Sequence, residues 1–282
     1  MDLTEGTQTD DDQVLFDDRD LLLFEEPPDF RSSTPPPSFT TFTRDIKYII
    51  EQEGGESNSA KFRDITVRLV GSHPLWGHYL WNAAKCLANY LDENKELARG
   101  KNVLEFGAGA GLPSLIANIN GAAKVVITDY PDEQLLDNIK YNVANIFSNI
   151  KDRERIIIMG YIWGKDTTPL LNSLDPTGRT KFNTIILSDL IFNHSQHHSL
   201  LRACKECIDP IDGQILVFFT HHRPNLIDRD LNFFELAIKQ PFNLLAEKIL
   251  ERRMVPMFEN DPGSEFVRAT VYGYRLTMID SS

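Results

Sequence analysis

Residues 101–129, KNVLEFGAGAGLPSLIANINGAAKVVITD, constrain this chain more than any other stretch. An apolar run of Val103, Leu104 and Phe106 enters a cluster of Gly107, Gly109 and Gly111, a helical pattern follows, and a second apolar run (Val125, Val126, Ile127) ends on Asp129. That order predicts a strand, a tight turn, a helix and a strand. Glycines where a strand turns into a helix let a ligand approach the backbone. The helix N-terminus offers unpaired N–H groups, and an acid ending the next strand can accept from a ribose diol. The stretch therefore predicts a site for a nucleotide-containing cofactor.

Spacing narrows the cofactor. A dinucleotide fingerprint, G-x-G-x-x-G, needs its third glycine at position 112, where Leu112 stands. The pattern is instead E-x-G-x-G-x-G, from Glu105 through Gly111, with an acid before the turn rather than a loop built for pyrophosphate. It fits a cofactor without phosphates, such as S-adenosylmethionine, whose amino-acid part calls for glycine backbone and a nearby carboxylate, and whose adenosine calls for Asp129. A purely structural strand–helix turn is the competing reading.

The rest of the chain repeats the alternation. Arg155–Met159, Thr184–Leu187 and Gln214–Thr220 read as further strands, Phe242–Ile249 as a strand or helix, and Val271–Ile279 as a final strand. Between them Pro131–Asn145, with Pro131 in its first turn, His197–Ile208 and Asp228–Lys239 read as helices. The fold class expected is α/β, a Rossmann-like doubly wound seven-stranded sheet with its last strand antiparallel. Upstream, Tyr48–Ile50 reads as a short strand, Gly54–Ser59 as a turn and Ile65–Leu69 as a strand. Residues 73–94, HPLWGHYLWNAAKCLANYLDEN, read as an amphipathic helix whose Trp76 and Trp81 either reach a cofactor cleft or pack in the core.

In such sheets ligands bind beyond the C-terminal strand ends, near the point where strand order reverses. There the reading gathers Gly107 to Gly111, Asp129, Trp163 after the third strand, and Ser188 and Asp189 at the end of the fourth, with the Trp163 face offered to adenine.

Methyl transfer from a sulfonium is an in-line displacement, so the protein must align the partners and present a lone pair. A lysine amine, with a reference pKa of about 10.4, must shed its proton first, whereas an α-amine at about 8 does so more readily. Asp189 and His194 are the candidate catalytic groups, as proton acceptors or amine orienters. His194 as a loop-packing residue is the competing reading. His221 and His222 end the fifth strand and either contact substrate or cap the following loop. No metal is expected, because Cys204 and Cys207 fall on one helix without the second ligand pair that zinc spacing requires.

Charge separates a tail from a body. Residues 1–40 hold eleven acids against Arg19 and Arg31, −9 of a net −12. They end in Pro35, Pro36 and Pro37 and predict a disordered tail, leaving 41–282 as the methyltransferase domain. The body lacks the basic excess of a nucleic-acid binder, and no apolar run approaches the roughly 18 residues of a membrane span. The acidic start and three cysteines predict a soluble, cytoplasmic protein.

The segments HPLWGHYLWNAA (73–84), LEFGAGAGLPSL (104–115), ITDYPD (127–132), YIWG (161–164), LSDLIFNHSQH (187–197), THHRP (220–224) and PGSEFVRATVYGYRL (262–276) together resemble the seven-β-strand class I methyltransferases. Within these, the chain is similar to the fungal protein N-terminal and lysine methyltransferases, formerly labelled nicotinamide N-methyltransferases. The resemblance spans about residues 20–280. It implies S-adenosylmethionine as cofactor and translation elongation factor 1-alpha as protein substrate, methylated on its N-terminal glycine amine and adjacent lysine. A monomer is expected, and no nucleic-acid partner, since the fourth strand ends SDLIFN without the N-P-P-Y type segment that stacks a flipped base. Carried over, the cofactor contacts fall on Trp81, Gly107, Ala108, Gly109, Asp129, Trp163 and Ser188; Glu105 joins them from the spacing argument. The lysine-specific relatives carry an aspartate and a tyrosine after the fourth strand, where this chain has Asp189 and Phe192. The alternatives are a small-molecule amine methyltransferase, which needs a lidded pocket where a protein substrate needs an open rim, and a cofactor-retaining scaffold.

Overall fold

A computed structural model describes residues 35–50 and 62–279. Most of the acidic tail and the Gly54–Ser59 turn lie outside the described residues. In chain order the elements are β1 (Ser38–Thr43), α1 (Ile46–Ile50), β2 (Asp64–Leu69), α2 (Asn82–Glu93), β3 (Asn102–Phe106), α3 (Leu112–Ile119), β4 (Lys124–Asp129), α4 (Glu133–Ile146) and α5 (Ile150–Arg153). They continue as β5 (Ile156–Gly160), α6 (Thr168–Asn172), β6 (Thr184–Ser188), α7 (His197–Cys207), β7 (Gln214–Thr220), α8 (Ile227–Ile238), β8 (Leu244–Arg253), α9 (Glu265–Arg268) and β9 (Thr270–Met278).

Seven strands form one sheet in the order β5-β4-β3-β6-β7-β9-β8. Pairs among β3 to β7 are parallel, while β9 runs antiparallel to both β7 and β8. The expected fold class and the antiparallel last strand are thus present. Alternate side chains on each strand point to opposite faces. Val103, Val125, Ile127, Ile186 and Phe218 pack into one core under α2, α3 and α4, and Leu104, Phe106, Val126, Leu187 and Val217 into a second under α7 and α8. Each fully buried aliphatic or aromatic side chain is worth roughly 1.5–3 kcal/mol. That double burial is why β3, β4 and β6 read as continuous apolar runs.

The structure departs from the sequence reading in the lead-in and at two helix starts. Tyr48–Ile50 is the end of a helix, not a strand: Asp45 accepts from the Lys47 and Tyr48 N–H groups and turns the backbone into α1. Ser38–Thr43, a strand that straddles the boundary drawn between residues 40 and 41, pairs antiparallel with β2. This two-stranded sheet is tied to α4, where Asn138 and Asn142 both donate to the Arg68 carbonyl, and Asn142 also donates to the Ala110 carbonyl in the glycine turn. The helix predicted over 73–94 begins only at Asn82, because Pro74 and Trp76, at φ 63°, break the backbone before it. Pro131 precedes the first turn of α4, which Asp132 caps through the Leu135 N–H; it packs instead against Gly160, where a Cβ would stand 2.6 Å from it.

Strand order reverses between β3 and β6, the two strands whose C-terminal ends carry Gly107 and Ser188. Among the described residues no helix is long and apolar enough to cross a membrane.

Candidate active site

The glycine turn holds three residues at positive φ, Gly107 at 58°, Gly109 at 57° and Gly111 at 78°. A Cβ on Gly107 would stand 2.7 Å from Leu190 and 3.2 Å from Trp163, whereas one on Gly109 would meet nothing within 4 Å. The turn is therefore closed behind and open in front. In front of it lies a cavity of about 510 Å³ at the C-terminal ends of β3, β4, β5 and β6.

Of the sequence-predicted cofactor contacts, Trp81, Gly107, Ala108, Gly109, Asp129, Trp163 and Ser188 all line this cavity. Asp129 is nine-tenths buried and holds the turn shut, its Oδ2 accepting from Gly109 N–H and its Oδ1 from Tyr130 N–H, both at 2.7 Å. Burial raises its pKa against the pull of those two donors. The Ser188 hydroxyl is buried and has no hydrogen-bond partner among the described residues. An orphaned wall hydroxyl beside an open glycine turn fits a small polar ligand that supplies the missing partner.

Glu105 is placed differently. It lies fully buried behind the turn, not on the cavity wall, and its Oε2 accepts from Ser114 N–H at the start of α3. Burial pushes this carboxyl up to about 8, against the Ser114 hydrogen bonds that pull it down. Its role in the structure is to anchor the helix N-terminus that follows the turn.

A second cavity of about 440 Å³ shares Trp76, Trp81, Asp189, Phe192 and Asn193 with the first. Asp189 stands at this shared wall. Its backbone is left-handed, φ 60°, a conformation aspartate tolerates better than most residues, and is held by its N–H donating to the Phe218 carbonyl at 2.7 Å. His222 Nε2 donates to both of its carboxylate oxygens at 3.0 Å. Burial lowers the His222 pKa, but the Asp189 charge and hydrogen bond, with Asp230 and Asp261 adding to them, outweigh burial and leave it raised.

His194 lines the second cavity and not the first. Its Nε2 donates to Asp230 Oδ1 at 2.7 Å, while His221 Nδ1 donates to Asp230 Oδ2 at 2.6 Å. His221 is buried behind the wall, so of the two histidines ending β7 only His222 faces the cavity. Asp230 is the residue that sequence reasoning missed. In sequence it is an ordinary first-turn acid of α8; only folding buries the residue, to 4% exposed, with its carboxylate between two imidazoles. Phe258, edge-on to Trp81 at 6.0 Å, was equally invisible. Cys204 and Cys207 sit on the buried face of α7, and burial raises both thiols, Cys207 to about 12.

The rim of the first cavity is apolar and open: Leu75 is 51%, Trp76 46% and Phe192 45% exposed. Trp76 holds φ 63°, a conformation that costs a bulky residue about 1–3 kcal/mol.

Comparison with known proteins points to a methyltransferase family. The lysine methyltransferase family matches residues 68–240. The chain is 45% identical over 257 residues to the protein N-terminal and lysine N-methyltransferase of Schizosaccharomyces pombe, covering 91% of this chain and 94% of that one. It is 40% identical to the protein of the same name from Cryptococcus neoformans, covering 96% and 91%. Among solved structures, a methyltransferase crystallised with S-adenosylhomocysteine superposes with a TM-score of 0.52 at 13% identity, over 76% of this chain and 54% of that one, a likeness of fold alone. The chain belongs to the lysine methyltransferase family, and with the fungal protein N-terminal and lysine N-methyltransferases it is a methyltransferase of class I fold.

Proposed function

We propose that the protein transfers methyl groups from S-adenosylmethionine to the N-terminal glycine amine and the adjacent lysine of translation elongation factor 1-alpha, as a cytoplasmic monomer. The observation that carries the reading is the pair of cavities meeting at Asp189, one with a glycine turn and an orphaned hydroxyl, the other with carboxylates and imidazoles.

In this reading Gly107 to Gly109, Asp129, Trp163 and Ser188 would hold the cofactor, which would supply a methyl group on a sulfonium sulfur that departs as a neutral thioether. Asp189 takes the acceptor amine at the junction. Its carboxylate accepts hydrogen bonds from the amine and aims the nitrogen lone pair toward the first cavity. His222 and the Thr220 N–H fix that carboxylate in place. His194, its Nε2 committed to Asp230, has Nδ1 left to receive the proton the ammonium must lose. Proximity and alignment supply most of the acceleration, and proton removal a further ~10²-fold.

A protein acceptor is supported over a small amine such as nicotinamide by the open apolar rim, since Leu75, Trp76 and Phe192 leave room for a polypeptide where a small substrate calls for a lid. The test is incubation with methyl-labelled S-adenosylmethionine and either purified elongation factor 1-alpha or nicotinamide, followed by mass spectrometry. Label on the amino-terminal peptide of the factor is the expected result. Methylated nicotinamide with an unlabelled factor reverses the assignment.

A further inference from the structure

The second cavity carries two cations that amine binding leaves unused. Arg223, in the loop after β7, and Arg229, in the first turn of α8, both line it and are both exposed. Neither guanidinium has a hydrogen-bond or ion-pair partner among the described residues. Among the other surface arginines some find carboxylates, as in Arg155–Asp152, Arg252–Glu93, Arg253–Glu265 and Arg275–Glu247, and Arg63, Arg99 and Arg179 do not, but none of these lines the second cavity.

The acids around Arg223 and Arg229 form no ion pair with them. Asp189 is occupied by His222, and Asp230 by His194 and His221. Asp228 and Asp261 are exposed and pair with neither arginine. Arg229 also stands where a helix disfavours a cation, because the positive end of the α8 dipole is at its first turn. Two guanidiniums free of ion pairs among the described residues thus line the same cavity as Asp189, where the amine would be received. Guanidinium presents a planar fork that matches a carboxylate with two parallel hydrogen bonds.

We infer that the second cavity is a subsite for an acidic side chain of the substrate protein, placed a few residues from the methylated amine and held by Arg223 and Arg229. The inference rests on the protein-amine reading above and adds a sequence requirement to it: a carboxylate downstream of the acceptor.

Synthetic heptapeptides beginning Gly-Lys test it, with one glutamate at position 3, 4 or 5, or glutamine at all three. Each is assayed with labelled S-adenosylmethionine for kcat/KM and by calorimetry for binding. The best glutamate peptide is expected to exceed the glutamine peptide about tenfold with the native enzyme. That ratio falls toward one in the double variant R223Q/R229Q, and Arg229→Glu shifts preference toward a peptide with lysine in place of the glutamate. A native ratio of one, or a ratio that survives in the double variant, overturns the subsite. A glutamate peptide that binds with an arginine-dependent advantage but is never methylated supports the subsite and overturns the amine-transfer reading; methylation without charge preference does the reverse.

Discussion

The two cavities that meet at Asp189 share Trp76, Trp81, Phe192 and Asn193 and differ in the rest of their walls. The first is built around a glycine turn, the acid ending the next strand, and a hydroxyl ending a strand beside it in the sheet, with side chains of residues 74–84 and 161–163 completing its wall. The second adds to that shared wall side chains from distant segments, His194 after β6, His222 after β7, Asp230 on α8 and Phe258 beyond β8. A cofactor common to many enzymes is suited by the first kind of wall, and an acceptor peculiar to one enzyme by the second, since specificity resides in variable segments carried on a fixed scaffold. The division predicts that damage to the two cavities will separate in kinetics.

The largest effect is expected at the turn itself. Gly107→Val forces a β-branched residue to φ 58° and drives its side chain into Leu190 and Trp163; donor affinity should fall by about 100-fold or more, read by calorimetry. Asp230→Asn should lower kcat by about tenfold and alter the pH profile, because His194 and His221 lose their shared carboxylate, while donor affinity stays within about twofold. If donor affinity falls equally, the cavities are not separable units.

Smaller effects follow from titration. Glu105 has its folded pKa raised to about 8, so the folded state keeps a proton that the unfolded chain releases above its ordinary value near 4.5. Its stabilising contribution is present at low pH and is lost as pH rises between these values. Glu105→Gln, which keeps an acceptor for the Ser114 N–H, should raise Tm more at pH 8.5 than at pH 5, by a few degrees in a thermal melt. His222 is also raised, toward the charged form by Asp189, so its pairing contributes stability fully below about 6.5 that fades as pH rises through its folded pKa. The Tm difference between the native chain and His222→Gln should therefore shrink from pH 6 to pH 9.

Sequence reasoning located the first cavity and only part of the second, for the same physical reason. Glycine at a strand–helix turn and an acid at a strand end are local requirements of backbone geometry, so Gly107, Gly109 and Asp129 can be read from spacing alone. The sheet was legible because buried parallel strands need apolar residues on both faces. Glu105 was read as an acid facing the cofactor; placing it behind the turn required knowing that the odd-numbered face of β3 packs under α2 and α3, as Val103 does. Asp230 gave no signal, since an acid in a helix first turn is already explained by the dipole. Its bridge between His194 and His221 is a contact over 36 and 9 residues of chain that only the packing of α8 creates. The segment 73–81 misled because Tyr79 and Leu80 keep helical spacing while Pro74 and Trp76 forbid the helix, and the resulting turn supplies the rim.

The most direct test of the separation is to measure donor affinity and turnover side by side in Asp129→Asn and Asp189→Asn. Asp129→Asn is predicted to weaken donor binding by about tenfold with kcat at saturating donor largely kept, because the lost interaction is with the bound cofactor. Asp189→Asn is predicted to lower kcat by about 30-fold or more, with donor affinity within about twofold of the native protein. Parallel losses of affinity and turnover in both variants would contradict the assignment of Asp189 to the acceptor side.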